Sequence, residues 1–386
     1  MRRVYLDNNA TTPIAPEVLE AMLPFYRDNF GNPSSIHAFG REVKVAIDEA
    51  REQVAALLGA AAEEIVFTSS GTEADNLAIK GTAHALRGKG QHIITCKIEH
   101  PAVLNTCKHL EKEGFKVTCL PVDEYGMIRL EELAGAITDE TILITIMHGN
   151  NEIGTIQPIE EISRIARERC IRFHTDAVQS LGKVPIIVQE LGIDLLSLSA
   201  HKLHGPKGIG ALYVKKGLKL QPILHGGHQE RGQRAGTENV AGIVALGRAC
   251  QLAAQHMADE AKNLSGLRDG LFEGLQERIP RVKLNGHPTK RLPTTLNCSF
   301  YGIEGESLLM NLDLAGVAVS TGSACSSGSI EPSHVLVALG LPPQLYQGSL
   351  RFSFSRYNTQ DDIDYILDIL PPIVERLRKM SPFWKE

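Results

Sequence analysis

No stretch of this sequence approaches the roughly 20 consecutive apolar residues that span a bilayer, which excludes a membrane-crossing helix. The opening Met1-Arg2-Arg3-Val4-Tyr5-Leu6-Asp7 meets an acid before any signal-like apolar run develops, so the expected location is the cytoplasm. Excess charge is lacking too. A net charge of −5 over 386 residues gives no general reason to expect nucleic acid or an anionic membrane as partner. No cysteines stand at C-x-x-C spacing. The seven present (Cys96, Cys107, Cys119, Cys170, Cys250, Cys298, Cys325) are odd in number and scattered, which argues against a disulfide framework or a zinc ribbon. Internal repeats and low-complexity blocks are absent as well.

What is there is an ordinary globular composition, 43% hydrophobic and 22% charged, in a chain longer than one hydrophobic core usually fills. From about residue 45 to 220, short apolar runs alternate with amphipathic segments, the pattern of a largely parallel sheet flanked by helices. Strands are expected near Glu64–Thr68, His92–Thr95, Lys116–Leu120, Thr141–Met147, Arg172–Thr175, Asp194–Leu198 and Gly208–Val214. Helices are expected near Val45–Leu58, Pro101–Glu113, Arg129–Ile137 and Ile159–Glu168. Past residue 255 the texture changes to a long polar helix, Asp259–Glu277, then short strands and a closing helix near Asp361–Lys379. The expected division is a large domain over 14–255 and a smaller α+β domain over 1–13 and 256–386.

Three segments carry chemistry. Ser69-Ser70-Gly71-Thr72-Glu73 follows a strand and opens a helix; it reads as a capping box or as an anion site at a helix N-terminus. Asp176, in His174-Thr175-Asp176-Ala177-Val178-Gln179, sits at the carboxyl end of a strand, where open α/β sheets place ligands. It is either a helix N-cap or the partner of a protonated ring nitrogen. Lys202 follows the apolar run Leu195–Leu198 through Ser199-Ala200-His201, and burial at such a place makes an amine nucleophilic. His201, His204, His225 and His228 admit a metal reading, but they lie in Gly- and Pro-rich turns with no acid completing a zinc motif. Cys325 stands apart from the other thiols, in the small, polar Ser320-Thr321-Gly322-Ser323-Ala324-Cys325-Ser326-Ser327-Gly328-Ser329, a context that implies exposure.

Together these segments resemble the NifS/IscS-like cysteine desulfurases, in the class V branch of the fold-type I enzymes that use pyridoxal 5'-phosphate. The resemblance runs from Tyr5-Leu6-Asp7-Asn8-Asn9-Ala10-Thr11-Thr12 to Arg351-Phe352-Ser353-Phe354-Ser355-Arg356. Its most specific motifs are the Ser-x-His-Lys lysine and the Gly-Ser-Ala-Cys-Ser-Ser loop. It implies an α/β fold whose large domain holds a mostly parallel seven-stranded sheet, with a smaller α+β domain carrying the cysteine loop.

Carried over residue by residue, the resemblance implies that Lys202 binds the cofactor covalently, Asp176 pairs with the pyridine nitrogen and Gln179 meets the phenolic oxygen. Gly71, Thr72, Ser199 and His201 hold the phosphate. His100 stacks on the ring and takes part in proton transfer. Asn151 and Arg356 engage the cofactor edge and the substrate carboxylate, and Thr237 reaches the phosphate in the other subunit of a homodimer. The implied reaction removes sulfur from L-cysteine, leaving L-alanine and a persulfide on Cys325. An iron–sulfur scaffold protein of the nitrogen-fixation or the housekeeping type is the implied acceptor. No resident metal is implied, only transient iron–sulfur contact through Cys325. A selenocysteine lyase or a transaminase on the same fold is the alternative.

Overall fold

The computed structural model describes residues 2–321, 332–382 and 384. Its β-branched and leucine-rich runs assemble into one seven-stranded sheet, in the order Ile65–Thr68, Gly210–Val214, Leu195–Ser199, Arg172–Asp176, Thr141–Thr145, His92–Cys96 and Lys116–Leu120. Neighbours run parallel except Gly210–Val214, which is antiparallel to both of its partners. The inner strands His92–Cys96, Thr141–Thr145 and Leu195–Ser199 are buried throughout, as strands covered on both faces must be. Lys116–Leu120 is one edge, with Lys116 and Cys119 exposed; Ile65–Thr68, the other edge, is buried.

Local signals mark both ends of the first long helix. Ala38–Leu58 begins earlier than its apolar stripe suggests, because the His37 ring accepts from Gly40 N–H at 3.3 Å. It stops at Gly59, whose φ of 64° is the left-handed conformation that closes a helix at little cost for glycine.

The longest helix, Val240–Arg278, runs through residue 255, where the composition changes. Asn239 caps its start, and no proline interrupts it. Its first half packs Leu246, Ala249 and Leu252 into the larger core; its second half packs Leu267, Leu271 and Leu275 into another. The polar helix expected at Asp259–Glu277 is therefore the far half of one rod. Around the second core an antiparallel trio, Ser349–Ser353, Thr295–Phe300 and Val282–Asn285, is joined by Leu6, Phe354 and Ile366. Val4–Tyr5 pairs in parallel with Val317–Ala318, so the first residues of the chain are tied to the C-terminal region. Val335, Leu336 and Leu339, although late in sequence, pack into the larger core.

Candidate functional site

Six main-sheet strands end at one edge, with Thr68, Cys96, Leu120, Thr145, Asp176 and Ser199, the edge where open α/β sheets bind ligands. A cavity of about 360 Å³ opens there. Gly71, Thr72, His100, Asn151, Asp176, Gln179, Ser199, His201 and Lys202 all line it.

At one end lies the start of helix Gly71–Leu86. Ser70 caps it, its hydroxyl accepting from Glu73 N–H at 3.1 Å, while a Glu73 oxygen accepts from Ser69 N–H at 2.7 Å. The cap thus occupies the third position. The N–H groups of Gly71 and Thr72 belong to the first turn, where no intrahelical acceptor exists. A Cβ on Gly71 would stand 2.6 Å from a Val178 methyl and 3.5 Å from the Ser199 Cβ, so only glycine fits this wall. Ser199 and His201 face the same end, which makes it a cradle for an anion.

Asp176 ends its strand 6% exposed, with one oxygen accepting from Val178 N–H at 2.9 Å. Burial raises its pKa against the pull of His100 and Lys202. A cationic ring nitrogen would supply the partner that this carboxylate lacks. Asp75 lies deeper, 1% exposed and 3.7 Å from His174, with one oxygen unpartnered. Burial raises its carboxyl well above the usual range, with Asp176 adding repulsion.

His100 caps helix Pro101–Lys112, its Nδ1 accepting from Ala102 N–H at 3.1 Å. Burial, more than any neighbour, lowers its pKa and favours the neutral ring. Burial and Lys202 bring His201 down to about 4. The Lys202 amine donates to the Asn9 carbonyl, and to that of Ala10 at 2.8 Å. An anion cradle, a buried acid, a neutral imidazole and a lysine around one cavity fit pyridoxal phosphate.

Two implied site residues stand elsewhere. Arg356 lines a separate cavity behind Lys202 and pairs with Glu260 at 2.9 Å; it is absent from the front wall. The guanidinium in the front cavity, among the described residues, is that of Arg351. Strand alternation carries the signal: Leu350, Phe352 and Phe354 fill the second core, which turns Arg351 and Ser353 to the opposite face. Thr237 lines a third cavity with Thr68, Ser69 and Arg234, outside the front one of its own chain. Cys325 lies outside the described residues.

Two of the four histidines that admit a metal reading make other contacts. His201 Nδ1 meets Thr11 Oγ1 at 3.2 Å, and His204 Nδ1 donates to the Pro13 carbonyl at 3.0 Å. Among the described residues no three His, Cys, Asp or Glu side chains are grouped to hold a metal ion.

Known proteins match this arrangement along its length. The family model for class-V aminotransferases covers residues 4–366. The cysteine desulfurase IscS of Clostridium botulinum (strain Hall) is 57% identical over 387 residues, spanning 100% of this chain and 98% of that protein. The cysteine desulfurase IscS of Methanosarcina thermophila is 59% identical over 381 residues, spanning 99% and 94%. Among solved structures, a NifS-like protein superposes with a TM-score of 0.92 at 42% identity, covering 97% of this chain and 100% of that one. SspA, solved in complex with cysteine, gives 0.83 at 42% identity over 92% and 100%. By sequence and by fold, the chain belongs to the class-V aminotransferase family, within its NifS/IscS-like cysteine desulfurases.

Proposed function

We propose that this chain is a pyridoxal-phosphate-dependent cysteine desulfurase, converting L-cysteine and the Cys325 thiol into L-alanine and a Cys325 persulfide. The observation that carries the reading is full-length identity of 57% or more to cysteine desulfurases, in a chain that gathers Lys202, Asp176 and Arg351 around one cavity. Bound at Lys202, the cofactor supplies an electron sink conjugated to the substrate Cα.

The chain's own residues do the rest. Gly71, Thr72, Ser199 and His201 hold the phosphate, and Asp176 keeps the ring nitrogen protonated. Arg351 binds the substrate carboxylate with two parallel N–H groups, fixing the amino acid so that its Cα–H faces Lys202. The Lys202 amine takes that proton, and His100, neutral and beside it, carries protons at the substrate sulfur. Asn151 and Gln179 fix the ring edge. Cys325, as thiolate, attacks the substrate sulfur: a sulfur–sulfur bond forms, the carbon–sulfur bond breaks, and its electron pair takes a proton at the carbon that becomes the alanine methyl.

The homodimer belongs to the proposal. It is supported by Thr237, whose cavity requires a second chain if that residue is to meet a cofactor phosphate. It is also supported by Tyr26, Phe30, Ile36 and Phe39, each more than half exposed. An iron–sulfur scaffold as acceptor and a cytoplasmic location are further parts of it. The six described cysteines are all free, as in a reducing compartment. Incubation with L-cysteine and a thiol reductant should yield alanine and sulfide in equal amounts, and Lys202→Ala should yield neither. Pyruvate in place of alanine, or turnover by that variant, would overturn the reading.

A further inference from the structure

Lys183 lies behind the site, four residues past Gln179, and takes no part in the steps above. Its amine donates to Gln179 Oε1 at 3.1 Å, and Gln179 Nε2 donates to the Asn9 carbonyl at 2.9 Å. The Lys202 amine donates to that same carbonyl. Lysine, amide, carbonyl and lysine therefore form one chain of hydrogen bonds across the wall between the rear and front cavities. Both lysines line the rear cavity, whereas Gln179 and Lys202 line the front one.

The chemistry of the two ends fixes the amide between them. An ammonium gives hydrogens and accepts none, so the Gln179 oxygen must face Lys183. The amide NH₂ is then left toward the front cavity, where Asn9 holds it. With Lys183 removed, the amide loses the donor at its oxygen and is held by the Asn9 carbonyl alone, so its NH₂ is less firmly fixed toward the ring oxygen of a bound cofactor. We propose that Lys183 is a positioning residue that holds the Gln179 amide with its NH₂ toward the cofactor, so that the ring oxygen meets a hydrogen-bond donor.

The charged surroundings of Lys183 are Lys202 and Arg351 toward the site, with His204, Glu260 and Arg356 around the rear cavity. Burial first, then the two nearer cations, bring its amine down to about 7. Negative charge entering the front cavity offsets that repulsion and favours the ammonium, the form that locks the amide. Gly182, with φ at 70°, lets the chain turn here, and a Cβ on it would lie 2.6 Å from Leu203.

The inference rests on the reading that pyridoxal phosphate occupies the front cavity, and its test separates the two. Dissociation constants are measured by fluorescence for pyridoxal phosphate and for its 3-deoxy analogue, which lacks the ring oxygen. The proteins compared are the unchanged chain, Lys183→Met, Lys183→Arg and Gln179→Leu. Lys183→Met is expected to weaken pyridoxal phosphate about tenfold, the worth of one charge-assisted hydrogen bond. It should leave the analogue unchanged, and Lys183→Arg should restore the difference. In the Gln179→Leu background, Lys183→Met should add nothing. Equal weakening of both ligands, or a loss that persists without Gln179, would mean that Lys183 only fills space and would overturn the proposal. Should Lys183→Met prove unfolded by circular dichroism, the comparison is made with Lys183→Leu, which likewise offers no donor and is read in the same way. Absence of pyridoxal phosphate binding by the unchanged chain would instead strike the functional reading.

Discussion

Arg351 and Asp7 are joined by a 2.8 Å ion pair, the guanidinium only 2% exposed, where the last strand of the small sheet meets the N-terminal segment. A second Arg351 nitrogen donates to the Asn151 carbonyl at 3.0 Å, and its Nε has no partner. The side chain is thus held from two sides and faces the front cavity with hydrogen-bonding capacity to spare. Arg351→Ala should raise KM for L-cysteine by about 100-fold, the worth of a bidentate charged contact. Arg356→Ala should leave KM within about threefold. It removes the Glu260 pair and lowers stability by about 1 kcal/mol, modest because both side chains retain some exposure. Steady-state kinetics beside thermal melts decide; the reverse pattern would return the carboxylate to Arg356.

The main sheet was legible because most of its strands are short runs rich in apolar and β-branched residues, and Thr68, Asp176 and Ser199 close three of them at the ligand edge. The residues closing them, or just beyond, were legible for the same reason: Asp176, Ser199 and Lys202 follow directly on such runs. Arg351 was not. Alternation with Leu350 and Phe352 turns it away from the second core, but what that face then meets is Asn151, 200 residues away, and no local pattern reports that contact. The rod Val240–Arg278 was read only in its far half because it changes neighbours midway, and its apolar stripe changes with them. Asp75, hidden inside a well-formed helix, gives no sign in the sequence that it faces a cavity.

Cys325→Ser should bind L-cysteine with affinity close to that of the unchanged protein yet form no persulfide. The other thiols are poor substitutes. Burial pushes those of Cys250 and Cys298 up to about 12, and raises those of Cys96 and Cys107 as well. Cys119 and Cys170 are exposed, but neither lines the front cavity. Mass spectrometry of the protein after a single turnover reads the outcome. Persulfide on any other cysteine at the normal rate would remove Cys325 from the mechanism.

Glu99 gives a pH-dependent prediction. It is fully buried; one oxygen accepts from Met147 N–H at 2.7 Å and from the Cys96 thiol at 3.0 Å, and the other is unpartnered. Burial raises its pKa from 4.5 to about 8. Between those values the folded chain keeps a proton that the unfolded chain has lost, so this group's contribution to stability falls as pH rises. The slope is at most about 1.4 kcal/mol per pH unit. Glu99→Gln removes that dependence. His148 and His174, depressed by burial to about 4 and about 3, act in the opposite sense at lower pH, but they do so in both proteins and cancel. Melting temperatures of the apoproteins should therefore shift in favour of Glu99→Gln from about pH 5 to pH 8 and run parallel above it. A constant difference across that range would show that Glu99 titrates normally.

Thr237 tests the assembly. In its own chain it lines a cavity beside Thr68 and Ser69, on the other side of the Ser69-Ser70-Gly71 turn from the phosphate end. If it acts across a two-fold axis, each subunit completes its neighbour's phosphate site, and cofactor retention is linked to dimerisation. Thr237→Ala alone should weaken pyridoxal phosphate by about 1.5–3 kcal/mol, a hydrogen bond to a charged group. Mixing Lys202→Ala with Thr237→Ala subunits sharpens the question, because only one site of the heterodimer keeps its lysine. With Thr237 acting in trans, that site receives an intact threonine from the Lys202→Ala partner and binds the cofactor as tightly as the unchanged protein. With Thr237 acting in cis, the same site carries the threonine lesion and binds no better than the Thr237→Ala homodimer. Isolating the heterodimer with two affinity tags and measuring its retained cofactor separates these outcomes, and the weaker binding would rule out the shared site.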